Sequence, residues 1–170
     1  MKQSFTKLSV LVIAMMLALG GCKEKVEVLP LPDFAKLLVE VGTFKGGRVN
    51  EVDLALYRET EVKVTQGATA DELIFTESFT ELGLPTSVQY KVLLGKGASN
   101  AVKLVIPSQS VGTQTYVGLV WDEKSTDTAQ GYYEAYDSKT KARIDNLYYR
   151  ISVRNANGVT NRWSITLKKK

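Results

Sequence analysis

Residues 147–167 read LYYRISVRNANGVTNRWSITL, and their grammar is that of a β-hairpin. Tyr149, Ile151 and Val153 fall at every second position, Asn157-Gly158 supplies a turn, and Trp163, Ile165 and Leu167 alternate on the return. Side chains along a strand point to opposite faces in turn, so an apolar set with a period of two marks one face laid against a core. Asn-Gly tolerates the positive φ that a tight hairpin turn requires.

The same pattern extends upstream. Val88 to Leu94 places Tyr90, Val92 and Leu94 on one side, Gly95-Lys96-Gly97 turns the chain, and Ala101 to Ile106 aligns Val102, Leu104 and Ile106. Tyr116 to Trp121 (YVGLVW) is apolar on both faces, as in a central strand covered on both sides. Gly131 to Tyr136 (GYYEAY) reads as a further strand and Asp137 to Asn146 as a charged loop. Nearer the N-terminus, Leu37 to Val41 (LLVEV) reads as a first strand, and Glu51 to Tyr57 (EVDLALY) as a strand whose Val52, Leu54 and Leu56 face inward. Between these two, Gly42-Thr43-Phe44-Lys45-Gly46-Gly47-Arg48 reads as a glycine-rich loop free to protrude. It lacks the Gly-Lys-Ser/Thr ending of a phosphate loop.

One stretch speaks for helix. Thr69-Ala70-Asp71-Glu72 has the Thr-x-x-Glu form of a capping box, Phe75 and Phe79 are four apart, and Gly83 and Pro85 close the segment. About seven short strands with one short helical insertion predict an all-β fold, an antiparallel two-sheet sandwich.

The chain begins with Lys2 and Lys7, a run from Leu8 to Leu19 that is apolar apart from Ser9, and Leu19-Gly20-Gly21-Cys22. A dozen or so apolar residues suit a secretory signal rather than a spanning helix, which needs about 20. Leu-Gly-Gly-Cys resembles the bacterial lipobox, so Cys22 is expected to be acylated and to become the new N-terminus. Multiple acyl chains hold a protein at a membrane durably, since each buried CH₂ contributes about 0.8 kcal/mol. Lys23 to Pro32 (KEKVEVLPLP) then reads as an extended tether spanning at most about 35 Å. The expected organisation is a signal peptide over residues 1–21, an acylated cysteine and tether over 22–34, and a sandwich domain over 35–170.

Composition narrows the chemistry. The chain has no histidine and a single cysteine. Imidazole general acid–base work, Ser-His-Asp and Cys-His sites and histidine-ligated zinc are therefore excluded, and a lipid-bound Cys22 leaves no thiol for metal, disulfide or catalysis. A glycosidase-type carboxylate pair remains formally open, although the acidic residues are scattered. No catalytic residue, metal or cofactor is expected. Removing Lys2 and Lys7 with the leader leaves 20 basic against 18 acidic residues, which makes no electrostatic case for nucleic acid.

The order of motifs resembles a known family. The lipobox, Gly47-Arg48 ahead of Val52 to Tyr57, Ala70-Asp71, Leu93-Leu94-Gly95-Lys96-Gly97, Val102-x-Leu104 and Tyr116-Val117-Gly118-Leu119-Val120 together are similar to the outer-membrane lipoproteins of type VI secretion, the TssJ (SciN) family. The likeness runs to about Asp122. The chain departs from the family in its first loop, which lacks Asn-Pro, and in the segment from Asp137 to Asn146. The resemblance implies a transthyretin-like sandwich held by its lipid on the periplasmic face of the outer membrane. It also implies a structural, non-enzymatic role: docking the periplasmic C-terminal region of an inner-membrane protein, TssM, through the loop spanning Gly42, Thr43, Phe44, Lys45, Gly46, Gly47 and Arg48. In that reading Phe44 supplies an anchor and Arg48 a bidentate donor. Lys23 after the cysteine agrees with outer-membrane sorting. The alternative reading is a lipid-anchored module that binds a saccharide or other small ligand through Trp121, Tyr132, Tyr133, Tyr136 and Tyr148.

Overall fold

The structure is a computed structural model that describes residues 32–121 and 127–170. The leader, Cys22 and most of the tether lie outside the described residues. Among the described residues one helix, α1 (Phe34–Val41), precedes ten strands: β1 (Thr43–Asn50), β2 (Tyr57–Gln66), β3 (Glu72–Glu81), β4 (Leu84–Ala98), β5 (Ala101–Val105), β6 (Gln109–Val111), β7 (Gln114–Gly118), β8 (Gly131–Tyr136), β9 (Arg143–Arg154) and β10 (Thr160–Lys169).

The all-β expectation holds, and the hairpin read from residues 147–167 is present as β9 and β10, paired from Arg154↔Thr160 to Asn146↔Lys168. The expected transthyretin-like sandwich is not formed. β10 pairs with β9 on one side and with β1 on the other, Asn50↔Trp163 through Phe44↔Lys169, so the antiparallel meander closes into an eight-stranded barrel of β1, β2, β3, β4, β5, β8, β9 and β10. Closure leaves only β6 and the first part of β4 as edges among the described residues, and eight strands enclose a lumen that side chains can fill.

β7 and β8 lie end to end along the same edge of β9. Gly118 pairs with Ile151 and Gly131, thirteen residues later, with Tyr149 on the same track. Arg150 fills the gap between them: its N–H donates to the Gln130 carbonyl (2.9 Å) and its carbonyl accepts from Leu119 N–H (3.0 Å). β6 meets β4 through a side chain, since the Gln109 amide bonds both the N–H and the carbonyl of Lys91 (2.7 and 2.9 Å).

The lumen is a packed core. Phe44, Val62, Val64, Leu73, Phe75, Tyr90, Val92, Leu104, Tyr116, Tyr133, Leu147, Tyr149, Ile151, Ile165 and Leu167 are buried within it. α1 closes one end. Asp33 caps it by accepting from Lys36 N–H (3.1 Å), Gly42 ends it at φ +74°, Leu38 is fully buried, and Phe34 meets the Tyr133 ring edge-on at 6.3 Å. The meander places the β1–β2, β3–β4, β6–β7 and β9–β10 connections together at the opposite, distal end.

Four local expectations are corrected. Leu37 to Val41 belongs to α1, because Phe34, Leu38 and Val41 sit at helical spacing behind an Asp cap. The supposed loop Gly42 to Arg48 is the helix cap followed by β1. Its glycines serve close packing, since a Cβ on Gly46 would lie 2.1 Å from the Thr166 carbonyl oxygen and one on Gly47 would lie 2.2 Å from the Tyr57 ring. The supposed strand Glu51 to Tyr57 is the β1–β2 loop as far as Leu56, and Tyr57 opens β2. The supposed helix after Thr69 is β3, with Leu73, Phe75, Glu77 and Phe79 turned inward; Glu72 does reach back to a backbone N–H, that of Ala68 (3.1 Å), but it closes a turn ahead of a strand. Gly83 (φ +80°) and Leu82 (φ +51°) form the turn into β4.

Gly46→Ala is expected to lower unfolding free energy by about 2–3 kcal/mol in chemical denaturation, because the new methyl meets β10 backbone that closure holds in place. Gly83→Ala, with nothing within 4 Å, should cost about 1 kcal/mol through backbone conformation alone.

Candidate functional site

Of the residues expected to meet a partner, the two chosen for it face the lumen. Phe44 is fully buried, packed edge-on against Tyr133 at 6.1 Å. Arg48 is 2 % exposed. Its guanidinium lies between the rings of Phe79 (4.2 Å) and Trp163 (4.1 Å), and Nη1 pairs with Glu77 Oε1 at 3.0 Å. Nε has no hydrogen-bond partner among the described residues. Lys45 points outward and pairs with Glu61 at 3.2 Å, while Gly42, Thr43, Gly46 and Gly47 serve the cap and the wall.

Glu77 is sealed as well as paired. The Tyr90 hydroxyl donates to its Oε2 at 2.8 Å, and the Tyr149 hydroxyl lies 2.7 Å from that of Tyr90. Burial first, and then the Glu77 charge, pushes both phenols well above the ordinary tyrosine range. A carboxylate with no exposed surface, held by one cation and a tyrosine pair, is a structural centre rather than a base within reach of a substrate.

The surface that stands out is the distal end. Leu82 (94 % exposed), Val52 (81 %), Leu54 (74 %) and Leu84 (69 %) project there, joined by Leu56, Tyr57 and Val159. The β1–β2 loop that carries three of them is tightly fastened. Asn50 Oδ1 accepts from the N–H groups of Val52 and Asp53 (2.9 and 3.0 Å), and Asp53 Oδ1 accepts from Ala55 N–H (3.1 Å). Glu51 crosses the outside of β10 to a bidentate pair with Arg150 (2.6 and 2.8 Å) and accepts from Ser164 (2.6 Å). Below the rim, a groove of about 760 Å³ opens on the outer wall between Tyr57, Glu59, Glu61, Ser78, Thr80 and Pro85. Val52, Leu54 and Leu56, expected on a buried strand face, lie instead in a loop, which the turn formers Asn50 and Asp53 signal.

Three of the five aromatics considered for a small ligand also meet on the outside. Tyr148 lies 5.7 Å from Trp121 and 5.6 Å from Tyr132, Arg150 sits 5.9 Å above the Trp121 ring, and the Tyr132 hydroxyl donates to Asp127 (2.7 Å). Burial and the Asp127 bond push the Tyr132 phenol up to about 12, and the Lys103 ammonium and the Tyr132 hydroxyl hold Asp127 down to about 2. Tyr133 is instead fully buried, donating to Asp145 (2.6 Å), and Tyr136 is half-buried.

No protein-family model matches the chain, and no curated protein matches it.

The bond from Arg150 holds the Glu51 carboxyl below the ordinary glutamate range. A depressed folded-state pKa adds stability that is present above the unfolded value of about 4.3 and lost as pH falls through the lower folded one. Wild-type stability should therefore drop over the acid interval that begins at that unfolded value. Glu51→Gln should be about 1–2 kcal/mol less stable at pH 7 and flatter across that interval, as read by denaturation at each pH.

Proposed function

We propose that this protein is a lipid-anchored, non-catalytic docking barrel of the bacterial envelope, which takes hold of a protein partner with its distal rim. The observation that carries the reading is the set of apolar side chains held out from a loop whose backbone is fixed by Asn50, Asp53 and Glu51. Exposing several large apolar residues on one end costs solubility and stability, and a rigid apolar patch with a polar surround is the usual form of a protein-binding surface. The loop is already ordered, so association loses little conformational entropy. The groove beneath it adds hydroxyls and the Glu59 and Glu61 carboxylates, which suit a polypeptide segment with apolar anchors.

The resemblance to type VI secretion lipoproteins gives this reading a specific form: attachment through Cys22 to the periplasmic face of the outer membrane, and a TssM-like inner-membrane protein as the partner. In a barrel with Phe44 and Arg48 inside, that partner would meet the rim rather than residues 42–48.

A second reading is favoured by the gathering of Trp121, Tyr132 and Tyr148 on the outer face. A shelf of rings beside charged side chains suits a saccharide ring.

Affinity capture from detergent-solubilised envelopes, with crosslinking from Leu54 and Leu82, tests the first reading. Wild type should recover one inner-membrane protein, and Leu54→Asp/Leu82→Asp should weaken its binding by about a hundredfold while melting stays within about 0.5 kcal/mol of wild type. Equal recovery by both forms removes the rim, and no recovery by either removes docking. For the second reading, glycan titration should change Trp121 fluorescence in wild type and not in Trp121→Phe; a response unchanged in that variant overturns it.

A further inference from the structure

The two ends of the barrel differ in the kind of cation they carry. Every lysine among the described residues lies in the half nearest α1, whereas the basic residues of the distal half are all arginines. Lys63, Lys96, Lys139, Lys168 and Lys169 are exposed, and none of them makes an ion pair among the described residues. They come from four separate places in the chain: the end of β2, the β4–β5 hairpin, the β8–β9 loop and the end of β10. Lys141 and Lys170 join them.

The carboxylates at this end are mostly occupied with local backbone work or with one another's neighbours. Asp33 caps α1, Asp137 accepts from the N–H groups of Lys139 and Thr140, Asp71 accepts from the Thr69 hydroxyl, and Glu40 faces Lys36 at 3.9 Å. The end is therefore a ring of exposed ammonium groups on the half of the barrel that the helix plugs. It is also the end at which the chain enters the domain, at Pro32 and Asp33.

We propose that this lysine ring seats the barrel on an anionic lipid surface, with headgroup phosphates as its ligand, so that α1 faces the bilayer and the apolar rim faces away. The proposal builds on membrane attachment at Cys22. Lysine suits such a surface: its ammonium is a compact charge on a flexible stem, able to meet scattered phosphates without the fixed geometry of a guanidinium. The attraction acts within a Debye length of the headgroups, about 8 Å at physiological salt, so it can operate only on an end already delivered there by the tether.

The acylated full chain, reconstituted into vesicles of phosphatidylcholine alone or mixed with phosphatidylglycerol, provides the test. A fluorophore is placed through Ser138→Cys at the helix end or Asn157→Cys at the distal turn, and headgroup-level quenching is read. In anionic vesicles the Ser138 label should be quenched several-fold more than in neutral ones, and the Asn157 label in neither. High salt, or Lys139, Lys168, Lys169 and Lys170 all changed to Ala, should reduce the anionic difference by about tenfold or more. Equal quenching of the two labels, or quenching independent of lipid charge and salt, overturns the proposal. Flotation on neutral vesicles reports the anchor separately. A chain that fails to float there is scored by salt-sensitive cosedimentation with anionic vesicles, and absence of that binding overturns the lysine ring itself.

Discussion

A charge inside a closed barrel must be answered inside it, and the Arg48–Glu77 pair sets that constraint here. Arg48 comes from β1, Glu77 and Phe79 from β3, Tyr90 from β4, Tyr149 from β9 and Trp163 from β10, so five strands contribute to one buried cluster. A buried ion pair adds little net stability compared with apolar packing, yet leaving one of its partners alone costs about 3–5 kcal/mol. A slip of one residue in any of these strands turns its contribution to the opposite face. The cluster therefore penalises every wrong register at once, in a fold where apolar alternation by itself would accept several.

A filled lumen sends function to the outside. Eight strands leave room for side chains and little else, and here tyrosines, phenylalanines and the ion pair take that room. What remains is a cylinder with two unlike ends and a wall. The helix end is closed and lysine-rich, the distal end is apolar and fastened by side-chain-to-backbone bonds, and the wall between them carries the aromatic shelf. Arg150 links the last two, since one guanidinium grips Glu51 of the rim loop, lies over Trp121 of the shelf and bonds the Trp121 carbonyl at 3.1 Å.

The strands with clean alternation were legible in the sequence: β5, β8 and β10 lie where the pattern puts them, while β4 runs on through the expected Gly95-Lys96-Gly97 turn to Ala98 and β9 begins at Arg143, inside the expected loop. Closure was not, because alternation tells which face is buried and not whether a sheet folds onto a second sheet or onto itself. The misread helix at β3 has a definite cause. Phe75 and Phe79 are four apart, and four is both a helical spacing and an even number, so the pair fits either period; Leu73 and Glu77 decide for strand only if a buried glutamate is allowed on the inner face. The misplaced first strand shows the converse, a short β-branched-rich run turned helical by an Asp cap and by Leu38 packing into the barrel end. The rim was hidden because hydrophobic residues are presumed inward, and only the polar residues interleaved with them mark a turn.

The break between β7 and β8 has a consequence for how this barrel can change. The track beside β9 is held through Leu119 and again from Gln130, both bonded to Arg150, so the number of residues between them does not enter the register of any strand pair. Segments can be added or removed there without re-indexing the barrel, and they would emerge beside the Trp121 shelf. The fold thus contains a port where sequence can diversify while the cylinder that holds it stays unaltered.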